Sequence, residues 1–259
     1  MTRKTSVDLI IGYGEVGQAL ETVLKERYTI HVHDPSKGRS ADASLRYEWM
    51  HIAIPFGPTF VADVVGYTKL YKPEHTVIHS TVPVGTTRSI PYPFHVTFSP
   101  VRGIHPDLVR YIREFPKWFA TTDDTDAVLE HFQSCGISMR LAPSIEALEW
   151  FKLVETTEYA YRIVLWQEFE RQAKACEVRG GASKTDVISA LKHWLYEKRK
   201  AYDGDRGLAP IMFGGPIRGH CLMPNIELLS PLMTKELYSW LTRSNALREE
   251  EEKDGQEPK

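Results

Sequence analysis

The sequence predicts an α/β protein in which a doubly wound, mostly parallel sheet is followed by an α-helical domain with one long helix. Over the first half of the chain, short apolar runs alternate with segments of helical periodicity, a pattern typical of parallel sheets covered by helices. From residue 144 to about residue 177 the chain has neither proline nor glycine, and apolar residues recur every three or four positions. The first pattern predicts the sheet, and the second predicts the long helix.

Seven apolar runs are predicted as strands, because each is short and is bounded by turn residues or by a helical segment. They cover residues 7–11, 29–33, 49–54, 75–82, 94–98, 118–121 and 137–141. Helices are predicted at residues 17–24, 57–71, 106–114 and 124–134, and then at 144–177, 184–200 and 231–241. We therefore expect a sheet domain over residues 1–143, a helical domain over 144–247 and a charged, disordered tail over 248–259.

The composition is that of an ordinary globular protein without a strong charge bias. The 259 residues are 42% hydrophobic and 25% charged, and the formal net charge is -2. This balance gives no electrostatic reason to expect nucleic acid or an anionic membrane surface as a partner. No apolar run approaches the roughly twenty residues that span a bilayer, no signal peptide precedes the first strand, and the cysteines have unrelated spacings. We expect a cytoplasmic protein, and the sequence predicts no metal site.

A glycine motif directly follows the first predicted strand. Gly12-Tyr13-Gly14-Glu15-Val16-Gly17 leads into a predicted helix, and Asp34 ends the second strand. The first glycine allows a tight turn, the second lets the backbone approach a pyrophosphate, and the third lets the helix pack on the strand. A carboxylate at Asp34 would accept hydrogen bonds from an adenosine ribose and would repel a 2′-phosphate, which favours NAD over NADP. The motif predicts a Rossmann-like NAD site, and the alternative is a turn of this shape that no longer binds. The residues expected to bind the cofactor are Gly12, Gly14, Glu15, Val16, Gly17, Asp34, Pro55 and Thr81.

Three further segments carry a resemblance to a known family. They are Ser80–Thr87, with the sequence STVPVGTT, Lys152–Glu155, with KLVE, and Gly214–Cys221, with GGPIRGHC. Together with the glycine motif, and in this order, they resemble the UDP-glucose/GDP-mannose dehydrogenase family over nearly the whole chain. The resemblance implies that a sugar-nucleotide alcohol is oxidised to a carboxylate by two hydride transfers to NAD, the second through a thiohemiacetal and a thioester on a cysteine.

The resemblance also implies roles for four residues. Cys221 would be the nucleophile, Lys152 would stabilise a developing alkoxide, and Thr81 would position water. His105 falls where the UDP-glucose branch has an acidic residue, and an imidazole can act as a base near neutral pH. Each residue also has a simpler role open to it: a small buried side chain, a solvated helix lysine, a strand-end cap and a hydrogen-bonded loop histidine, respectively.

Several positions depart from the family pattern. Thr156 stands where the family has asparagine, Asn225 where it has aspartate, and Val101 where it has glutamate. Gln167-Glu168 replaces an Asn-Glu pair, and the family's third domain, which holds the nucleotide diphosphate, has no counterpart in the sequence. These departures predict a reduced relative with a smaller substrate, a partner that supplies the missing surface, or lost turnover.

The expected activity is NAD-dependent oxidation of an alcohol of a sugar or nucleotide sugar. One alternative is a single-step dehydrogenase of the β-hydroxyacid type, whose members share the sheet domain, a long helix and a lysine on it. Another alternative is a noncatalytic NAD-binding scaffold. The expected partners are a small-molecule substrate and a second copy of the chain in a homodimer. The homodimer is expected because the apolar stripe of the long helix is wider than one sheet face could cover; a core helix is the other interpretation.

Overall fold

The computed structural model describes residues 7–91, 94–103, 106–203, 213–219 and 221–254. The chain divides into two compact units, one that ends at Leu153 and one that begins at Val154. The division falls within the long helix, whereas the sequence predicts a boundary ahead of that helix. Among the described residues, no helix is both long and apolar enough to cross a bilayer.

The first unit contains one seven-stranded sheet. Its strands are β1 (Val7–Ile11), β2 (Thr29–His33), β3 (Trp49–Ile52), β4 (His75–Ile78), β5 (Val96–Phe98), β6 (Lys117–Thr121) and β7 (Met139–Leu141). Their order across the sheet is β2-β1-β3-β4-β5-β6-β7, and only the β5–β6 pair is antiparallel. The predicted α/β fold with a mostly parallel sheet is confirmed.

Helices cover both faces of this sheet. They are α1 (Glu15–Leu24), α2 (Phe60–Tyr71), α3 (Leu108–Glu114) and α4 (Thr125–Gln133). Successive residues of each strand point to opposite faces, so Leu9 and Ile11 pack in the core that contains α2, whereas Ile10 packs in the core that contains α1, α3 and α4. Continuous apolar strands are typical of parallel sheets that are buried on both faces.

The second unit is helical. The long helix α5 (Ile145–Val178) extends into it from the first unit and is followed by α6 (Lys184–Asp203), α7 (Leu222–Leu229) and α8 (Lys235–Lys253). The core of this unit contains Ala160, Ile163 and Val164 of α5 together with Ile226 and Leu241. The predictions for α5 and α6 are confirmed, but the single helix predicted over residues 231–241 is wrong: the chain forms α7 before it and a much longer α8.

The tail predicted to be disordered from Arg248 is also corrected, since α8 continues to Lys253. Arg248 is buried, and its guanidinium donates to the carbonyl of Gln167 at 3.0 Å. The same group lies 3.4 Å from the Glu170 carboxylate and 3.3 Å from that of Glu251. A charge-rich composition suggested a solvated segment, but these charges pair within the unit and fix the helix. Residues 255–259 lie outside the described residues.

Candidate dinucleotide and catalytic site

The three glycines of the motif have different surroundings. A Cβ at Gly12, whose φ is +93°, would lie 2.6 Å from the carbonyl oxygen of Ala53 after β3. A Cβ at Gly17 would lie only 2.1 Å from the carbonyl oxygen of Gly12, whereas a Cβ at Gly14 would meet nothing within 4 Å. Gly12 and Gly17 therefore allow close backbone packing, whereas Gly14 faces open space. Gly14 is also the N-cap of α1, where no side chain caps the helix and where an anion is favoured.

Asp34 lies against this turn. Its Oδ2 accepts a hydrogen bond from the Tyr13 amide at 2.8 Å, and its Oδ1 accepts one from the Ser36 hydroxyl at 2.6 Å. The Ser36 hydrogen bond is the main reason that the pKa of Asp34 is lowered, and the Tyr13 amide acts in the same direction. The side chain is thus a carboxylate at neutral pH, and it remains partly exposed to a ligand.

Two cations beside Asp34 were missed by the sequence interpretation. The Lys37 ammonium donates to the carbonyl of Tyr13 at 2.6 Å, and the Arg39 guanidinium lies 3.9 Å from the centre of the Tyr13 ring. Both residues belong to the short connection after β2, and their basic character was visible in the sequence. Positive charge at this place would favour a 2′-phosphate, which Asp34 would repel.

Asp34→Asn is therefore expected to shift the preference from NAD toward NADP by at least about tenfold, because the repulsion disappears while Lys37 and Arg39 remain. The dissociation constants of NAD and NADP, measured by calorimetry, give this ratio. Ser36→Ala is the matched control, since it removes a hydrogen bond from Asp34 but keeps the carboxylate. An unchanged ratio in Asp34→Asn would show that this carboxylate does not select the cofactor.

Pro55 and Thr81 lie in segments that leave the sheet at the same edge as the glycine turn. The Ser80 hydroxyl donates to the carbonyl of Ile54 at 2.6 Å, which joins the segment after β4 to the segment after β3. Pro55 is exposed and Thr81 is half-buried. This is the carboxyl edge of the parallel strands, where ligands of open α/β sheets bind.

Glu149 holds the rest of the STVPVGTT segment, and the sequence interpretation did not single it out. This fully buried carboxylate accepts hydrogen bonds from the amides of Gly85 at 2.6 Å and Thr87 at 2.8 Å. Burial raises the pKa of Glu149, while the amide hydrogen bonds act against that shift. Lys152 follows three residues later on α5, so the same helix turn carries the predicted catalytic lysine and anchors the loop that follows Thr81.

A second lysine, Lys117, is buried at the start of β6. Because β6 runs antiparallel to β5, its first residue lies near the edge where β5 ends, and the Lys117 ammonium donates to the carbonyls of Ser99 at 2.6 Å and Pro100 at 3.1 Å. Burial, together with a smaller effect of the Lys152 charge, lowers the pKa of Lys117 to about 7. The charges of the two lysines therefore repel each other.

Val101, in the family's glutamate position, is buried in the core beside α3.

Cys221 belongs to the second unit. It is half-buried and is the N-cap residue of α7, where the partial positive charge of the helix terminus stabilises negative charge. Asn225, in the family's aspartate position, is buried in the first turn of the same helix. Its backbone N–H donates to the backbone carbonyl of Cys221 at 3.2 Å. Thr156 is half-buried on α5. The predicted site residue His105 lies outside the described residues, as does His220.

The glycine segment before Cys221 is fixed by polar side chains of the second unit. The Gln167 amide group donates to the carbonyl of Gly215 at 2.9 Å, and Asn245 accepts from the amide of Ile217 at 2.6 Å. A Cβ at Gly214 would lie 2.3 Å from a carboxylate oxygen of Glu170. Gln167, one of the departures from the family pattern, thus has a defined structural role in holding this loop.

Comparison with known proteins gives matches in structure but not in sequence. No family model matches the chain, and no curated protein matches it in sequence. The UDP-D-ManNAc dehydrogenase of Pyrococcus horikoshii is similar with a TM-score of 0.70 at 16% identity, over 93% of this chain and 68% of that one. The UDP-glucose dehydrogenase of Pyrobaculum islandicum has a TM-score of 0.68 at 14% identity, over 95% and 69%. Nucleotide-sugar dehydrogenases share this fold.

A shorter dehydrogenase is also similar. The 3-hydroxyisobutyrate dehydrogenase of Mycobacterium tuberculosis gives a TM-score of 0.63 at 13% identity, over 92% of this chain and 91% of that one. The chain thus spans 68–69% of the two nucleotide-sugar enzymes and 91% of this hydroxyacid enzyme. The resemblance stated from the motifs is confirmed at the level of the fold.

Proposed function

We propose that this protein is an NAD-dependent oxidoreductase that oxidises an alcohol of a sugar or nucleotide sugar. The open space at Gly14 beside the Asp34 carboxylate carries the proposal, because it offers a phosphate approach and a ribose acceptor in one turn. The dehydrogenase fold supports it. The residues proposed to hold the cofactor are Gly12, Gly14, Glu15, Val16, Gly17, Asp34, Pro55 and Thr81.

In this proposal bound NAD supplies the hydride acceptor, and the chain's own residues supply binding and charge stabilisation. The Lys152 ammonium would stabilise negative charge on the substrate oxygen as the hydroxyl proton passes to water, and NAD would accept the hydride from the carbinol carbon. The Cys221 thiolate would then add to the aldehyde carbon, and Lys152 would stabilise the oxyanion of the thiohemiacetal. A second NAD would accept the hydride whose loss leaves a thioester on Cys221. Water, positioned by Thr81, hydrolyses the thioester to the carboxylate and releases the thiol.

A single-step reaction of the β-hydroxyacid type is the second candidate. The match over nearly the full length of a 3-hydroxyisobutyrate dehydrogenase favours it, since the nucleotide-sugar enzymes extend well beyond the part that this chain matches. Here Lys152 would stabilise the substrate oxygen in the same way, and Cys221 would have no chemical role.

Cys221→Ser distinguishes the two candidates. With UDP-glucose, GDP-mannose, UDP-N-acetylmannosamine and 3-hydroxyisobutyrate as a panel, we expect the wild-type chain to release two NADH per nucleotide sugar, and Cys221→Ser to form no carboxylate. Lys152→Ala is expected to lower the rate of either reaction by about 10²–10³. Cys176→Ser is the matched control, because Cys176 is an exposed cysteine on α5.

Each other outcome of this experiment has a clear meaning. If Cys221→Ser leaves NADH production unchanged with 3-hydroxyisobutyrate while Lys152→Ala removes it, the single-step reaction is correct. If NAD binds but no substrate of the panel yields NADH, the noncatalytic NAD-binding scaffold is favoured.

We also propose that the protein is a cytoplasmic homodimer. Four large apolar side chains of α5 are at least 40% exposed, and a second copy of the helix would cover them. They are Trp150, Phe151, Tyr159 and Leu165. Sedimentation equilibrium measures the mass, and a monomer at micromolar concentration would contradict the dimer.

A further inference from the structure

A row of polar side chains crosses the buried sheet face that α1, α3 and α4 cover. Asp8 on β1 and His51 on β3 are completely buried, and His131 on α4 is 3% exposed. His79, directly after β4, is 2% exposed and continues the row. These groups are surrounded by the apolar core of the first unit. Polar groups in such a place cost free energy unless other polar groups or an ion satisfy them.

Hydrogen bonds at one end of the row determine which nitrogen carries the proton in His79 and in His51. The Ser99 carbonyl can only accept, so His79 must donate to it through Nδ1, at 2.8 Å. Nε2 of a neutral His79 is then an acceptor, and it accepts a hydrogen bond from the protonated Nδ1 of His51 at 3.0 Å. Both rings are buried among apolar side chains, where a neutral imidazole is favoured over a charged one.

The consequence is a bare lone pair in the core. With its proton on Nδ1, neutral His51 has only an unprotonated Nε2 on its other side, and that atom has no hydrogen-bond partner among the described residues. Asp8 and His131 each bring a potential ligand atom to the same place, and the three ligand atoms all lie within 4.8 Å of one another. A lone pair next to a carboxylate needs a cation or a proton between them.

Two aromatic side chains hold the ring of His131 in a fixed orientation. Its ring is stacked between Tyr28, at 4.6 Å between ring centres, and Trp49, at 4.2 Å. Its Nε2 lies 3.8 Å from Oδ2 of Asp8. His51 is oriented by its hydrogen bond to His79, which is itself bound to the Ser99 carbonyl. Metal-binding histidines are commonly oriented in this way by a hydrogen bond from the ring nitrogen that does not bind the metal.

We propose that Asp8, His51 and His131 bind one Zn²⁺ ion in the core of the first unit. Two imidazoles and one carboxylate form a ligand set that zinc accepts, whereas Mg²⁺ and Ca²⁺ prefer oxygen ligands alone. Ligands about 2.0–2.2 Å from zinc in a tetrahedral arrangement lie about 3.3–3.6 Å apart, so a contraction of about 1 Å would bring the three side chains into place. A water would take the fourth position. The ion would join β1, β3 and α4, which are far apart in sequence.

This role is structural and does not depend on the proposed enzymatic function. The sequence predicts no metal site, because the three ligands are single residues on separate elements and match no metal-binding spacing. Only the pairing of β1 with β3, and the packing of α4 on them, brings the residues together.

The test uses the full chain, expressed in zinc-supplemented medium and freed of any affinity tag. Elemental analysis is expected to find about one zinc per chain, and refolding with Co²⁺ in place of Zn²⁺ is expected to produce the visible absorption of cobalt bound to nitrogen ligands. His51→Gln and Asp8→Asn are expected to lower the metal content by at least about tenfold. His75→Gln is the matched control, since His75 stacks on Trp49 and pairs with Asp123 but has no third ligand among the described residues.

The proposal is overturned if wild-type chain contains no zinc and binds neither Zn²⁺ nor Co²⁺ on refolding. The charge of the Asp8 carboxylate would then be balanced by a protonated His131 in a buried ion pair. It is also overturned if His51→Gln keeps its metal. Should a variant fail to fold, the cobalt spectrum of the wild-type chain still decides the question by itself.

Discussion

Gly17→Ala is expected to destabilise the first unit by about 3 kcal/mol or more, at the upper end of the cost of inserting a methyl group into a packed site. The new Cβ would lie 2.1 Å from the Gly12 carbonyl oxygen. That oxygen belongs to the backbone and the position of a Cβ is fixed by the backbone, so no side-chain rotation can relieve the clash. The start of α1 would have to move away from the turn that follows β1. Thermal unfolding measures the loss as a fall in Tm of about 10 °C for a unit of this size.

Gly14→Ala is the matched control within the same motif. Its φ of -73° and ψ of -166° suit an alanine, and nothing lies within 4 Å of the new Cβ, so its stability should change by less than about 0.5 kcal/mol. The methyl group would instead occupy the space proposed for the pyrophosphate, and NAD affinity should fall by about tenfold or more. If Gly14→Ala binds NAD as tightly as the wild-type chain, the cofactor does not lie on this turn.

Lys117→Met is expected to stabilise the protein most at low pH. The pKa of Lys117 is about 7 in the folded chain and near 10.5 in the unfolded chain, so between these values the unfolded chain binds more protons. Wild-type stability should therefore rise with pH from about 7 toward 10, as the buried ammonium loses its proton. The variant should lack this rise. At pH 7 and below, its free energy of unfolding should exceed that of the wild-type chain by on the order of 3–5 kcal/mol.

Urea unfolding at several pH values measures this dependence. Lys152→Gln is a useful companion, because removal of the Lys152 charge should raise the pKa of Lys117 and move the rise in stability to higher pH. Equal pH dependence in wild-type chain and Lys117→Met would mean that Lys117 keeps an ordinary pKa.

Much of the fold could be predicted because its signals are local. The strands of the first unit are continuous apolar runs, and the glycine turn and Asp34 are recognisable from their order and spacing alone. The failures concern segments whose structure depends on distant partners. Helix α7 is short, with Pro224 in its first turn, and the end of α8 is folded because Arg248 meets Gln167, Glu170 and Glu251.

The polar interior of the first unit could not be predicted for the same reason. Nothing near Glu149 in sequence indicates that its carboxylate binds the amides of Gly85 and Thr87. Lys117 begins an apolar strand and would ordinarily be expected in solvent, but the antiparallel direction of β6 buries it against Ser99. Partners more than a dozen residues away leave no periodic trace in the sequence, so these contacts require the tertiary structure.

Tyr13 has a practical consequence for engineering. Its amide, carbonyl and ring are engaged by Asp34, Lys37 and Arg39, respectively, and its hydroxyl donates to Glu21. A graft that replaces the whole connection after β2, the usual way to transplant cofactor preference between homologous enzymes, would remove three of these four contacts at once. Point substitutions in that connection should therefore yield usable redesigned proteins more often than segment transplants.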